Sequence, residues 1–168
     1  MEKGFFQKQY SKLLSACNAI GSLWIFVLML VIVADVGGRI FFNHPLQGTP
    51  EIVANSIIAI AFLQIGYVLM IGKHVRSTVF YDRFPEKVRD VFDVIACILG
   101  IILFIFLVKT SFHEFVHALK TGEFEGEGAL RVPTSPARFA IFFGSSLMLG
   151  QYFFNIWYKI KKLFKKGV

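Results

Sequence analysis

Three residues of this sequence have a spacing that is typical of catalysis. His113, Glu114 and His117 match the pattern H-E-x-x-H. On a helix, residues four apart share one face, so both imidazoles could bind zinc while Glu114 activates a metal-bound water. The third ligand would have to be one of the carboxylates that follow: Glu123, Glu125 or Glu127. Only a short loop separates the motif from the next apolar segment, which leaves little room for a substrate cleft. We favour a chance match and keep a membrane zinc metallopeptidase as an alternative.

A second pair of ionisable residues has helical spacing. Asp35 and Arg39 lie four apart at the end of a long apolar segment. An ion pair there would neutralise two groups that are each costly near the bilayer edge. We favour a local ion pair that lets both side chains be buried. The alternative is that the two residues form a docking point for another subunit.

The elements that carry these residues are four long stretches without Asp, Glu, Lys or Arg. They cover residues 13–34, 52–72, 94–108 and 139–158. About 20 apolar residues cross the hydrocarbon core as a helix. The third stretch is shorter, and it needs Asp93 or Lys109 at its borders to snorkel outward. The fold class is therefore all-α, an integral membrane protein with four transmembrane helices. We expect one domain over residues 1–168, with spans at approximately 13–42, 50–72, 86–118 and 136–160.

The distribution of positive charge predicts the orientation. Most of the 18 Lys and Arg residues lie before the first span, between spans 2 and 3, or in the C-terminal tail. The positive-inside rule then places the N and C termini in the cytoplasm. Both terminal segments are amphipathic. We favour an interfacial helix for the tail, whereas the start is equally consistent with the end of a span. The net charge of +7 fits a membrane surface better than a nucleic acid.

Prolines mark where three of the helices begin. Pro50, Pro85 and Pro136 are each expected at the first position of a helix, with Thr49 and Ser135 as caps. Because few residues separate spans 2 and 3, we expect these two helices to be antiparallel neighbours.

The centres of the spans lack the groups that transport or redox chemistry needs. Gln64, Gln151 and Asn155 are the main polar residues inside spans 2 and 4. Such amides more often connect helices than bind substrate. No acidic residue lies at mid-membrane, and the four histidines lie at helix ends or in loops. The chain is therefore suited to bracing another protein, and a four-helix assembly or anchor subunit of another membrane complex remains an alternative.

The order of several short motifs resembles the small membrane subunit (DctQ-like, Q subunit) of TRAP, or tripartite ATP-independent periplasmic, transporters. The likeness covers nearly the whole chain. It rests on residues at the end of span 1, at the start of span 2, in the cytoplasmic loop and before span 4: Asp35, Arg39, Phe41, Pro45, Glu51, Gly72, His74, Val75, Arg76, Pro85, Arg89, Gly128, Ala129, Leu130 and Pro133.

This resemblance implies a non-catalytic scaffold subunit of a sodium-coupled importer of an organic acid, a carboxylate or sulfonate, in the bacterial inner membrane. The chain would pack against the large membrane subunit (M, DctM-like) and help dock the periplasmic substrate-binding protein. Sodium and substrate would bind to the large subunit, so the chain itself would carry no catalytic, substrate-binding or metal-binding residues and no cofactor. Lipids of the surrounding membrane would also be binding partners, whereas nucleic acid would not be one.

Positions in this sequence then suggest roles for individual residues. The candidates for subunit or lipid contacts are Asp35, Arg39, Glu51, His74, Arg76 and Arg89. The candidates for docking the binding protein are Glu123, Glu125, Glu127 and Arg131.

Overall fold

The computed structural model describes residues 5–71, 85–126 and 131–166, with side chains for 7–71, 85, 88, 89, 91–126 and 131–157. Its elements are, in chain order, α1 (Phe5–Phe42), α2 (Thr49–Met70), α3 (Glu86–Thr121), β1 (Phe124–Glu125), β2 (Val132–Pro133) and α4 (Ser135–Lys166). β1 and β2 form a short antiparallel pair, with Phe124 opposite Pro133 and Glu125 opposite Val132.

All four helices are long and apolar enough to cross a membrane, which confirms the predicted fold class. α2, with 22 residues, is about 33 Å long and so matches the hydrocarbon thickness of roughly 30 Å. α1 has 38 residues and is about 57 Å long. Because α1, α3 and α4 all exceed the bilayer core, each of them extends beyond it or tilts within it.

α4 lies between α2 and α3, and α1 packs on the other side of α2. The expectation that α2 and α3 are direct neighbours is therefore wrong. At Gly144 the backbone of α4 comes so close to the carbonyl of Phe62 on α2 that a Cβ would overlap it. Leu69, Phe104 and Met148, from α2, α3 and α4, then meet in one core cluster. The short link between α2 and α3 limits only how far apart their ends lie.

The helix starts differ from prediction by one residue. Gly48, at φ 80°, is the N-cap of α2, and Thr49 is its first residue. The hydroxyl of Thr49 donates to the carbonyl of Leu46, at 3.2 Å, and not to the helix amides. Pro85 is likewise the N-cap of α3 and not its first residue. Proline is tolerated there because it has no N–H that needs an acceptor, while its carbonyl accepts from the amides of Val88 and Arg89.

The terminal segments are helical and continue the spanning helices without a break. α1 begins at Phe5, and α4 runs to Lys166. Much of the surface of α1 and α3 is apolar, including Phe41 with 80% and Phe106 with 66% of its surface exposed. Such a surface suits lipid or a partner subunit.

The polar residues inside the spans make two kinds of contact. The amide of Gln64 on α2 donates to the carbonyl of Asn18 and the hydroxyl of Ser22 on α1, both at 3.4 Å. This contact connects two helices, as expected. Gln151 donates to Asn155 at 3.1 Å, one turn further along α4, so that pair lies within one helix.

Candidate interaction site at the loop end

Both described connections between helices lie at one end of the bundle, which we call the loop end. It comprises residues 43–48, between α1 and α2, and the described residues 122–126 and 131–134, between α3 and α4, together with the adjoining helix turns. Most of the described ionisable side chains that were predicted as site residues lie here. The opposite end, with the two chain termini, we call the terminal end.

Asp35 fixes the connection between α1 and α2. Its side chain is 8% exposed, and its Oδ2 accepts a hydrogen bond from Arg39 at 2.7 Å. Its other oxygen, Oδ1, accepts from the backbone amide of Leu46 at 2.8 Å. The predicted pair is present, and it also holds a loop residue eleven positions away. A carboxylate with both oxygens engaged in this way is a structural clamp.

Arg138 connects α4, α3 and the loop that joins them. One nitrogen of its guanidinium, Nη1, donates to Glu114 on α3 at 2.6 Å, and Nη2 donates to Glu123 at 3.1 Å. Glu123 also lies 3.0 Å from Nδ1 of His117. These four groups form a charged network, which is stronger than the same pairs in isolation.

Local backbone geometry brings Glu123 to this network. α3 ends in an αL turn at Gly122, φ 61°, which glycine adopts without a steric cost. The amides of Gly122 and Glu123 both donate to the carbonyl of Ala118. The carbonyl of Glu123 accepts from the backbone amide of Thr134 at 3.1 Å. The chain is thereby fixed on both sides of Glu123, so its carboxylate is directed to Arg138.

A third contact joins the β1–β2 pair to α2. The amide of Asn55 donates to the carboxylate of Glu125 at 2.5 Å. One turn earlier on α2, Glu51 has one carboxylate oxygen that is buried and has no hydrogen-bond partner among the described residues. Burying a carboxylate oxygen without a partner is costly. Glu51 is therefore the described group of the loop end that gains most from a donor supplied by another molecule.

The H-E-x-x-H residues belong to the charged network. Glu114 pairs with Arg138 and His117 with Glu123, while His113 lies exposed on α3. Within the described ranges, no three His, Cys, Asp or Glu side chains lie close enough together to hold a metal ion. In the described structure Glu114 and His117 therefore take part in contacts that join α3 to Arg138 and to the loop after α3.

The remaining predicted residues take no part in the loop-end contacts described above, or lie outside the described residues. Arg131 is exposed directly before β2, and Arg89 lies in the first turns of α3, at the terminal end. His74, Arg76 and Glu127 lie outside the described residues. The roles of all these residues in subunit, lipid or binding-protein contacts stay predictions.

Two residues that make contacts at the loop end were not among the predicted site residues. Arg138 is the single cation in the first turns of α4, three residues after Ser135. An isolated cation in an otherwise apolar helix segment was the sequence signal that it has acidic partners. Asn55 follows Glu51 by one helical turn, so an amide facing the same side as an acidic residue was the signal there.

Comparison with known proteins identifies the family. The family model for tripartite ATP-independent periplasmic transporters, DctQ component, matches residues 28–162 of the chain. A relative of known name is the ectoine TRAP transporter small permease protein TeaB of Halomonas elongata. It is 31% identical over 103 residues, which cover 61% of this chain and 52% of the relative, so the match spans about half of that protein.

The match to the family model covers far more than half of the chain, from the middle of α1 nearly to the end of α4. The described geometry agrees with it, because four spanning helices meet at a charged, cross-linked loop end that holds no reactive constellation among its described residues. The chain belongs to the DctQ family, the small membrane component of TRAP transporters, and is a multi-pass transporter subunit, not an enzyme.

Proposed function

We propose that this chain is the non-catalytic scaffold subunit of a sodium-coupled TRAP importer of an organic acid in a bacterial inner membrane. It packs against the large membrane subunit and helps dock the periplasmic binding protein. The observation that carries the proposal is the internal bracing of the loop end. Asp35, Arg138 and Asn55 tie its connections to the helices, so a partner meets one preformed surface. A preformed surface loses little conformational entropy on binding.

The interior of the described bundle supports a bracing role. Its buried polar side chains are Asp35, Thr49, Ser111, Ser145 and Gln151, and among these only Asp35, at the loop end, is ionisable. A substrate or ion pathway through the bundle would need such groups at its centre. The sodium and substrate sites are therefore assigned to the large subunit.

The orientation follows from the charge distribution. With both termini in the cytoplasm, the loop end faces the periplasm, where the binding protein delivers its solute. Glu123 and Glu125 contribute to that surface through carboxylates that are already held by Arg138 and Asn55, and Arg131 adds an exposed cation. Glu51 is the candidate on this surface for a donor from the large subunit.

In this proposal the binding protein and the large membrane subunit, and not this chain, determine which solute is transported. The relative from Halomonas elongata is named for ectoine, and its match spans about half of that protein. No described side chain of the present chain forms a polar substrate site, so we assign an organic acid only as the class. The solute is to be found by screening carboxylates, sulfonates and ectoine for those that raise the melting temperature of the periplasmic binding protein of the same transporter.

Uptake into proteoliposomes tests the proposal. Vesicles would hold this chain alone, the large subunit alone, or both, with the binding protein and the radiolabelled solute found in the screen added outside. We expect uptake that depends on a sodium gradient only when all three proteins are present. Uptake by this chain alone, or full uptake in its absence, would contradict a scaffold role.

A further inference from the structure

The loop-end half of the bundle contains an apolar cavity between α1, α2 and α4. Its volume is about 380 Å³, within the range of small-molecule sites. Its wall is formed by residues of all three helices and of β2, among them Trp24, Asn55, Ala59, Leu63, Val132 and Ala140. We call this space the α1–α4 cavity.

The contacts of Tyr10 on α1 with α4 lie toward the terminal end, and the cavity lies on the loop-end side of them. The hydroxyl of Tyr10 donates to the carbonyl of Leu147, and its ring lies 5.1 Å from that of Phe154. Along its length α1 packs mainly against α2, and the residues of α2 and α4 that line the cavity include small ones, Ala59 on α2 and Ala140 on α4. Small side chains on two helices leave a space that neither fills.

The depth of the cavity lies within the hydrocarbon region. Trp24 precedes Asp35 by eleven residues, about 16 Å along the helix from the loop end. From Asn55 to Leu63 the α2 wall rises about 12 Å. Beyond Leu63, the hydrogen bonds of Gln64 to α1 close the cavity toward the terminal end. Water is not available at this depth to fill an apolar space, whereas lipid chains are.

The mouth and the rim indicate the chemistry of the occupant. Trp24 is 47% exposed and Ile20 is 62% exposed, so the cavity opens through α1 side chains toward the surrounding lipid. At the loop-end rim, Val132 lines the cavity and the exposed cation Arg131 directly precedes it. The carboxylate opposite Val132, that of Glu125, is already engaged by the amide of Asn55. An apolar slot within the bilayer core with a cation at its headgroup end complements an acyl chain attached to a phosphate.

We propose that the α1–α4 cavity binds one acyl chain of a phospholipid, with the lipid phosphate near Arg131. The lipid occupies the space between α1 and α4 and holds the loop-end half of α1 against the rest of the bundle. This proposal needs only the chain and a bilayer, so it does not rest on the transport function.

Tryptophan fluorescence tests the proposal directly. The sequence has two tryptophans, so Trp157→Phe leaves Trp24 as the single reporter. The purified full chain in detergent would be titrated with phosphatidylglycerol that carries bromine on its acyl chains, because bromine quenches tryptophan only near contact. We expect a quenching phase that saturates at about one lipid per chain. Quenching that only follows the ratio of lipid to detergent, without saturation, would overturn the proposal.

Filling the cavity provides the control. Ala59→Leu and Ala140→Leu add bulk inside it, and Ala61→Leu adds the same bulk on the exposed face of α2 outside it. We expect each cavity variant to weaken the saturating phase at least tenfold while Ala61→Leu leaves it unchanged. Melting temperatures of the three variants show that they are folded. Equal saturation in a folded cavity variant and in Ala61→Leu would refute the assignment.

A photo-crosslinking residue at position 24 decides between a lipid and a partner protein in cells. After irradiation of the expressed transporter, mass spectrometry of the chain measures the mass of the adduct. An added mass of a phospholipid supports the proposal. An adduct with another protein subunit would show that side chains of that subunit fill the cavity, and would overturn it.

Discussion

At the scale of residues, Arg138 makes the contacts on which the α3–α4 connection depends. Its guanidinium bonds to Glu114 on α3 and to Glu123 in the loop, and about a third of its side chain is exposed. Without it, the two carboxylates would lie near each other with no cation between them. Exposed ion pairs contribute little individually, but one cation shared by two carboxylates and supported by fixed backbone contributes more.

We predict that Arg138→Met lowers the free energy of unfolding by about 1–2 kcal/mol, because two charge-assisted hydrogen bonds are lost and two acidic groups repel. Thermal unfolding of the purified chain in mild detergent measures the effect. Lys120→Met is the matched control, since it removes an exposed cation from the last turn of α3. Equal melting temperatures for the two variants would show that the network contributes no stability.

Asp35 allows the ion pair to be separated from the loop contact. We predict that Asp35→Ala destabilises the chain by about 2 kcal/mol, because it leaves the amide of Leu46 without its acceptor. Arg39→Ala should cost less than about 1 kcal/mol, since 61% of the Arg39 side chain is exposed. Hydrogen exchange provides the specific readout. The Leu46 amide should exchange faster in Asp35→Ala and not in Arg39→Ala. Faster exchange in both variants would show that the loop contact depends on the ion pair between Asp35 and Arg39.

Sequence reasoning succeeds for contacts within one helix and fails for contacts across loops. The pair of Asp35 and Arg39 follows from helical spacing alone. The bond from Asp35 to Leu46 depends on the path of residues 43–48, where Asn43 adopts φ 50° and Gly48 φ 80°, and no periodicity encodes that path. The contacts of Arg138 with Glu123 and Glu114 could not be predicted from helical spacing, because these partners are 15 and 24 residues away.

At the scale of elements, the close crossing of α2 and α4 determines which helices are neighbours. Gly144 faces the carbonyl of Phe62, whereas a Cβ at Gly37 on α1 would meet nothing within 4 Å. The four spans could be predicted from the length of the stretches without charged residues, which is a property of each segment by itself. Their lateral order does not, because it depends on where a small residue lets two backbones approach, and several glycines were candidates for that contact.

The two glycines make a matched pair of substitutions. We predict that Gly144→Ala destabilises the chain by about 1–3 kcal/mol, because the added methyl group separates α2 from α4. Gly37→Ala should instead stabilise it by up to about 1 kcal/mol through helix propensity. Unfolding of both variants in the same detergent gives the comparison. Similar effects of the two substitutions would mean that α2 and α4 are not in close contact at Gly144.

At the scale of the whole molecule, the chain combines long helices, a large exposed apolar surface and a braced loop end. α1 and α3 lie at the two edges of the bundle, and each leaves most of its apolar residues uncovered. A DctQ component with these properties is suited to hold a larger membrane protein in a fixed position while that protein moves the solute. The chain belongs to the DctQ family. Under the proposed function, its exposed helices are the surface that the large membrane subunit covers.

The most direct test of this role is native mass spectrometry of the affinity-tagged chain, purified in mild detergent from a membrane in which all the transporter proteins are present. We predict a complex of one copy of this chain with one copy of a larger multi-pass TRAP subunit. Glu51→Gln should leave the melting temperature of the isolated chain unchanged or higher but reduce the fraction in the complex. A chain that is recovered alone, or only with copies of itself, would contradict the scaffold role.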